Sequence, residues 1–292
     1  PRSTLFPYTT LFRSNELQRP IVLLGIGRGG VRVAQCVLAT CCFPELAVVG
    51  TDTDAALLAE SGLPETLVLG AEWAHGEGSG GDEELADRAV GASTAALREV
   101  IQRGRVVFVA AGLGGGVGSA AVRVVARLAR ECAVPAVFLV TLPFSFEGAK
   151  RVRVANLALD LLRGETDAVI AIPNSLLFSQ LPPDTASRKA FSLATEILAN
   201  ALAGLARICC ADGLLTADLA AVKRIVRRPG ATCAIGIGSG TGSTAANDAV
   251  NAFLESPFVG GVQHLRTVEA ALITLLGGDR KSTRLNSSHR IR

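Results

Sequence analysis

From residue 20 onward, short and almost wholly apolar runs alternate with longer stretches whose apolar residues return every three or four positions. The apolar runs predict strands at Pro20 to Gly25, Leu46 to Gly50, Thr66 to Leu69, Arg105 to Ala111, Pro135 to Leu142 and Asp167 to Ile172. The amphipathic stretches predict helices at about Gly30 to Thr40, Asp82 to Gln102, Gly118 to Cys132 and Glu147 to Arg163. Strands without polar alternation, each followed by a helix, make a parallel sheet covered on both faces, an α/β architecture. A longer pattern follows from Ser187 to Cys210, where Phe191, Ala194, Leu198, Leu202, Leu205 and Cys209 share one helical face. Such a helix is roughly 35 Å long, about the width of a domain. Beyond it, a helix at Leu214 to Val226, a strand at Ala231 to Gly238, a helix at Thr241 to Ser256 and an apolar run at Val268 to Leu276 predict the start of a smaller α+β unit, cut short.

The two ends do not share this patterning. Pro1 to Ser14 and Arg280 to Arg292 lack either periodicity, read as appended sequence of the kind a translated sequencing adapter gives, and are set aside. This changes the charge. The whole chain has 29 basic and 26 acidic residues, but the ends hold seven of the basic and none of the acidic, so residues 15 to 279 carry −4. Nucleic acid as a partner loses its main support. No apolar run is long enough to span a bilayer, so no direct membrane insertion is expected. The seven cysteines lie in apolar runs without metal-ligand spacing, which predicts reduced buried thiols and no zinc.

On a parallel sheet the chemistry gathers in the loops beyond the carboxyl ends of the strands. The run Gly112-Leu113-Gly114-Gly115-Gly116-Val117-Gly118-Ser119 places five glycines in seven positions between a strand and a helix. Consecutive backbone N–H groups there can converge at the positive end of a helix dipole, a socket for phosphate, although glycines that merely cap a helix give the same pattern. A second loop, Gly25-Ile26-Gly27-Arg28-Gly29-Gly30, satisfies G-x-G-x-x-G, with Asp52 twenty-two residues beyond Gly30. That is also the dinucleotide fingerprint, so an NAD-dependent Rossmann oxidoreductase is a rival. Two glycine nests favour a polyphosphate held from both sides. A P-loop of the usual form is absent.

Two further loops, Pro143-Phe144-Ser145-Phe146-Glu147-Gly148 with the basic pair Lys150-Arg151, and Ile172-Pro173-Asn174, complete an ordered set. In order and spacing, from about residue 20 to 278, these motifs closely resemble the FtsZ branch of the tubulin superfamily. The resemblance implies a Rossmann-like GTPase domain at 15 to 186, a central helix at 187 to 212, and a partial second domain at 213 to 279. It implies GTP or GDP with Mg2+, without a dedicated protein metal site. It also implies a head-to-tail homopolymer acting in bacterial cell division, in the cytoplasm at the division site, with adaptors recruited by a C-terminal tail missing here. Carried over by position, Gly27, Arg28, Gly29, Gly30, Val31 and Arg32 fall on the first phosphate loop, Asp52, Thr53 and Asp54 on the second, and Ser79, Gly80, Gly81 and Asp82 on the third. Gly114, Gly115, Gly116, Val117, Gly118 and Ser119 are the main phosphate cradle; Pro143, Glu147 and Arg151 lie at the ribose; Asn174, Phe191 and Thr195 surround the base, Phe191 by stacking. Asp218 falls on a catalytic acid of a loop donated to the neighbouring subunit.

Several positions depart from the family pattern. Arg28 replaces a glycine, Arg32 replaces a base-contacting asparagine, Thr195 stands where an aspartate or asparagine reads guanine, and Val117 replaces a threonine. Arg28 and Arg32 also fit the exposed face of a capped helix, and Asp218 fits a helix N-cap. In the catalytic loop, Thr216-Ala217-Asp218-Leu219-Ala220-Ala221, the second acid is replaced by Ala221. Slow or negligible GTP turnover is the expectation, and a non-hydrolysing nucleotide-binding filament scaffold is the alternative within the fold.

Overall fold

The computed structural model describes residues 20–40, 43–166, 169–176, 186–210, 235–256, 258–259, 263, 265–267, 271–275 and 287–291. Its centre is a parallel sheet of six strands in the order β3-β2-β1-β4-β5-β6. The strands are β1 (Ile21–Ile26), β2 (Leu46–Asp52), β3 (Glu65–Val68), β4 (Val106–Gly112), β5 (Ala136–Leu142) and β6 (Val169–Pro173). The register runs Leu24 beside Val49 on one side and Val109 on the other, and Val109 beside Phe138.

Strand geometry sends alternate side chains to opposite faces, and the apolar runs supply both. Val22, Leu24 and Ile26 of β1, with Val107 and Val109 of β4 and Phe138 and Val140 of β5, join one buried cluster. Ile21 and Leu23, with Val106 and Phe108, and Val137 and Leu139, join the other. The first cluster is covered by α4 (Glu83–Ala92), α5 (Thr94–Arg103), α6 (Gly116–Glu131) and α7 (Ala149–Glu165), the second by α1 (Gly27–Thr40) and α8 (Ser187–Cys210). In α6, Ala121, Val122, Val125, Ala126, Leu128 and Ala129 are buried while Arg123, Arg127 and Arg130 face solvent, the stripe expected of a helix lying on a sheet.

Some elements differ from their sequence expectation. The stretch 82 to 102 is two helices, broken at Ser93, whose hydroxyl donates to Ala89 O (3.0 Å) and accepts from Gly70 N (2.8 Å). A serine that bonds a neighbouring backbone competes with helix continuation, and apolar periodicity does not register it. A short helix α2 (Ala55–Glu60) follows β2, capped by Asp54, and a single turn α3 (Ala71–Ala74) follows β3. Residues 235–240 carry no regular structure, so the described part of the run 231 to 238 is not a strand; 231–234 and the helix expected at 214 to 226 lie outside the described residues. The helix expected from Thr241 is a 3-10 turn, Gly242–Thr244, leading into α9 (Ala245–Leu254). Within 280 to 292, where no strand was expected, β8 (Ser287–Ile291) pairs antiparallel with β7 (Ala271–Leu275). No helix among the described residues is long and apolar enough to cross a membrane.

Candidate functional site

The strand order reverses direction between β1 and β4: the helix after β1 returns toward β2 and the helix after β4 returns toward β5. The crevice between those two strand ends is where ligands settle on such sheets. Both glycine loops open there, each leading straight into a helix N-terminus, α1 at Gly27 and α6 at Gly116. They abut. A Cβ built on Gly27 would lie 3.4 Å from Gly118 N, and one on Gly29 would lie 3.6 Å from Gly112 N. Gly27 (φ +70°) and Gly114 (φ +95°) hold left-handed conformations that turn their N–H groups away from the sheet ladder. Close approach excludes side chains elsewhere: a Cβ on Gly118 would meet Gly112 O at 2.2 Å, and one on Gly30 would meet Ala110 O at 2.2 Å. Gly114 N donates to Ser119 Oγ (2.9 Å), which fixes the curl of the loop. Val117 is 6% exposed and belongs to the core cluster, so only its backbone serves the loop.

On the β2 side, the loops after β2 and β3 are tied to this cradle. Asp52 is buried, and its Oδ1 accepts from Thr53 N (2.6 Å), Asp54 N (3.2 Å) and Thr53 Oγ1 (3.3 Å). Burial pushes its carboxyl above the ordinary value, against those hydrogen bonds, which pull it down. An acid engaged in shaping its own loop differs from one presented to a ribose, which counts against the dinucleotide reading. Thr53 Oγ1 accepts from Ser79 N (3.0 Å), and Ser79 Oγ lies 2.7 Å from the Cβ position of Gly116. Asp54 Oδ1 caps α2 by accepting from Leu57 N (2.9 Å), and its Oδ2 lies 3.3 Å from Arg28 Nη2. Asp82 caps α4 through Glu84 N and Leu85 N, and beside it Gly80 and Gly81 border open space. Arg32 is exposed and lines, with Arg28, Gln35, Asp54 and Glu60, a cleft of about 360 Å³ between α1 and α2.

On the β5 side, Pro143 Cγ and Arg151 O lie 3.3 and 2.8 Å from the Cβ position of Gly114. Glu147 is held twice: Oε1 accepts from Phe144 N (2.8 Å) and Oε2 pairs with Arg151 Nη1 (2.8 Å). Phe191, on the first turns of α8, meets Phe144 edge-on at 5.1 Å and Phe146 at 6.2 Å, while Phe146 is stacked on Phe144 at 5.0 Å and stays half exposed. Thr195 Oγ1 donates to Phe191 O (2.9 Å). Asn174, at the end of β6, is 5% exposed, and its Oδ1 has no hydrogen-bond partner among the described residues. A buried amide oxygen left unpaired is costly and suits a ligand N–H. Asp218 and Ala221 lie outside the described residues. Thr53 and Ser79, which the resemblance places on the second and third phosphate loops, and Phe146 of the 143–148 motif are the groups that tie these loops together.

Residues 20–182 match the Tubulin/FtsZ family, GTPase domain. The chain is 31% identical over 266 residues to Cell division protein FtsZ 1 of Thermococcus kodakarensis, covering 91% of this chain and 70% of that one. The fold is similar to that of an FtsZ dimer from M. jannaschii (TM-score 0.77, 32% identity, 82% of this chain and 69% of that one). It is also similar to CetZ2 from Haloferax volcanii in a GTPγS-bound protofilament (TM-score 0.67, 28% identity, 80% and 71%). A match running from β1 past β6, on a sheet whose glycine loops converge at its switch point, makes this chain a member of the Tubulin/FtsZ family that carries its GTPase domain.

Proposed function

We propose that this chain binds GTP and GDP in the crevice between β1 and β4 and assembles head to tail into filaments that act in cell division, in the cytoplasm at the division site. The observation that carries this reading is the abutment of two N–H-lined loops at two helix N-termini, a cradle that a single Cβ on Gly118 would close. The backbone of Gly27 to Gly30 and Gly114 to Ser119 would hold the phosphates, Pro143, Glu147 and Arg151 would border the ribose, and Asn174 and Phe191 would meet the base. Mg2+ would be held by phosphate oxygens and water, as it is when it accompanies a nucleotide. The related FtsZ dimer and CetZ2 protofilament support self-association, and a contact of unlike faces that does not close gives a filament. Adaptors of a division apparatus would bind a C-terminal tail.

Hydrolysis would be completed in trans, with Asp218 of one subunit orienting water at the neighbour's terminal phosphate and α8 linking the nucleotide end to the domain that carries that acid. With Ala221 in place of a second acid, turnover would be slow, on the order of 100-fold or more below a complete pair. That replacement also supports the second reading, a filament scaffold that binds nucleotide without hydrolysing it.

Titration of the full chain with GTP, GDP and NAD, beside GTP-dependent sedimentation, tests the proposal. Guanine nucleotide binding with assembly is expected; tight NAD binding without GTP binding would overturn it.

A further inference from the structure

Arg28 is the one charged residue in the loop Gly25 to Gly30. Its neighbours Gly27 and Gly29 are packed against the Gly112 to Gly118 loop, whereas its own side chain reaches toward β2 and ends 3.3 Å from Asp54 Oδ2. The pair is loose and open. Its length exceeds the 2.7 to 2.9 Å of a strong charge-assisted bond, and the Arg28 side chain is 63% exposed. Exposed pairs of this kind hold weakly, and a guanidinium facing a phosphate finds more negative charge and a second acceptor oxygen.

The sheet order indicates which phosphate. The groups suited to a base, Asn174 and Phe191 with its aromatic neighbours, lie at the β5 and β6 end, and the glycine cradle lies over β4 and β1. A nucleotide laid across that order would run its phosphate chain toward the boundary of β1 and β2, where Arg28 and Asp54 meet. The carboxylate is also divided in use. Asp54 Oδ1 holds the cap of α2 while only Oδ2 faces Arg28, so the arginine can leave without removing the helix cap.

Resting on the guanine-nucleotide reading above, we infer that Arg28 is a specificity-determining side chain that distinguishes triphosphate from diphosphate: Asp54 holds it when no terminal phosphate is present, and it transfers to that phosphate when one arrives. The transfer moves no covalent bond and releases Asp54 Oδ2 to solvent. The loop after β2, linked through Thr53 to Ser79 and so to the start of α6, thereby registers which nucleotide is bound.

The test compares affinities of the full chain for GTP, GDP and a non-hydrolysable GTP analogue across Arg28→Ala, Arg28→Lys and Asp54→Asn. Arg28→Ala is expected to weaken GTP and the analogue about tenfold and GDP less than about twofold, in line with loss of one charge-assisted contact. Arg28→Lys keeps the charge without the planar fork and should fall between. Asp54→Asn keeps an oxygen for the α2 cap but removes the competing charge, so triphosphate affinity should rise a few-fold. A merely structural ion pair predicts the opposite for that last variant, because breaking the pair from either side would then act alike. The inference is overturned if Arg28→Ala and Asp54→Asn shift GTP affinity in the same direction, or if Arg28→Ala weakens GTP and GDP equally. Failure of the unmodified chain to bind GTP overturns both this inference and the function on which it rests.

Discussion

Gly118→Ala puts the phosphate cradle to its most direct test. The added Cβ would stand 2.2 Å from Gly112 O, where real Cβ contacts essentially never fall below 3.0 Å, so backbone must move by at least about 0.8 Å. The obstacle cannot rotate away: Gly112 is paired to Thr141 in the sheet, and Leu113 N donates to Thr141 O at 2.9 Å. Overpacking of this kind costs about 1 to 3 kcal/mol, while replacing glycine by alanine in a helix returns about 1. The net loss of stability is therefore small, at most about 2 kcal/mol, which for a domain of this size lowers Tm by a few degrees at most. Binding suffers more. Moving the N–H groups of the α6 N-terminus by that distance takes two phosphate bonds from about 2.9 Å to beyond hydrogen-bonding range, and bonds to a charged group contribute about 1.5 to 3 kcal/mol each. GTP affinity should fall by roughly 100-fold or more, at about 1.4 kcal/mol per decade. Gly91→Ala, on the exposed side of α4 and outside the cradle, is the internal control: no described atom lies within 4 Å of the added carbon, so affinity should stay near that of the parent and stability the same or slightly higher. Fluorescence titration and thermal melting of both variants decide the matter. Gly118→Ala binding GTP within threefold of the parent, or Gly91→Ala losing as much as Gly118→Ala, would refute the assignment of the cradle.

Three other outcomes are expected. Asn174→Ala removes a buried oxygen that has no partner, so the ligand-free protein should melt at the same temperature or slightly higher while guanine affinity drops by about 1 to 3 kcal/mol, read by calorimetry. Asp52 has a carboxyl raised in the folded state, so the folded form binds its proton more readily than the unfolded form does. Its contribution is fullest below the unfolded value and is lost as pH rises through the raised one; Asp52→Asn should flatten that fall in Tm across the mildly acid range, and an unchanged pH profile would count against it. Ala221→Asp should raise GTP turnover by about tenfold or more in a phosphate-release assay, with that gain abolished by Asp218→Ala.

The fold was legible because the apolar runs of β1, β4 and β5 serve two faces at once and so carry no polar positions, a pattern that only a doubly covered parallel sheet produces. The convergence of Gly27 to Gly30 with Gly114 to Gly118 was partly legible: two nests after two strands suggested one polyphosphate, but their adjacency depends on β1 lying beside β4, a strand order that sequence does not print. Helix boundaries were less readable. Both loop helices begin earlier than their apolar pattern, at Gly27 and Gly116, because glycine contributes no apolar signal even when it is helical. The break at Ser93 and the helix Ala55–Glu60 were missed for a related reason: each depends on a side chain bonding a neighbouring backbone, Ser93 to Ala89 and Asp54 to Leu57.

Hydrogen bonding separates the residues of the strand-end loops into two groups that no motif distinguishes. Asp52, Asp82, Ser119, Glu147 and Thr195 each bond to nearby backbone, and so shape the loops that carry them. Asn174 Oδ1, without a partner among the described residues, and the loosely held Arg28 are not tied to backbone in this way. A site that gripped phosphate through backbone, as proposed, would depend on loop shape more than on side-chain identity, and the Val117 side chain does pack in the core. Substitutions in the first group should therefore shift affinity for every guanine nucleotide together, because they deform a shared cradle. Those in the second should act selectively, Asn174 on the base and Arg28 on the length of the phosphate chain, so the pattern of losses across nucleotides reports which group a residue belongs to.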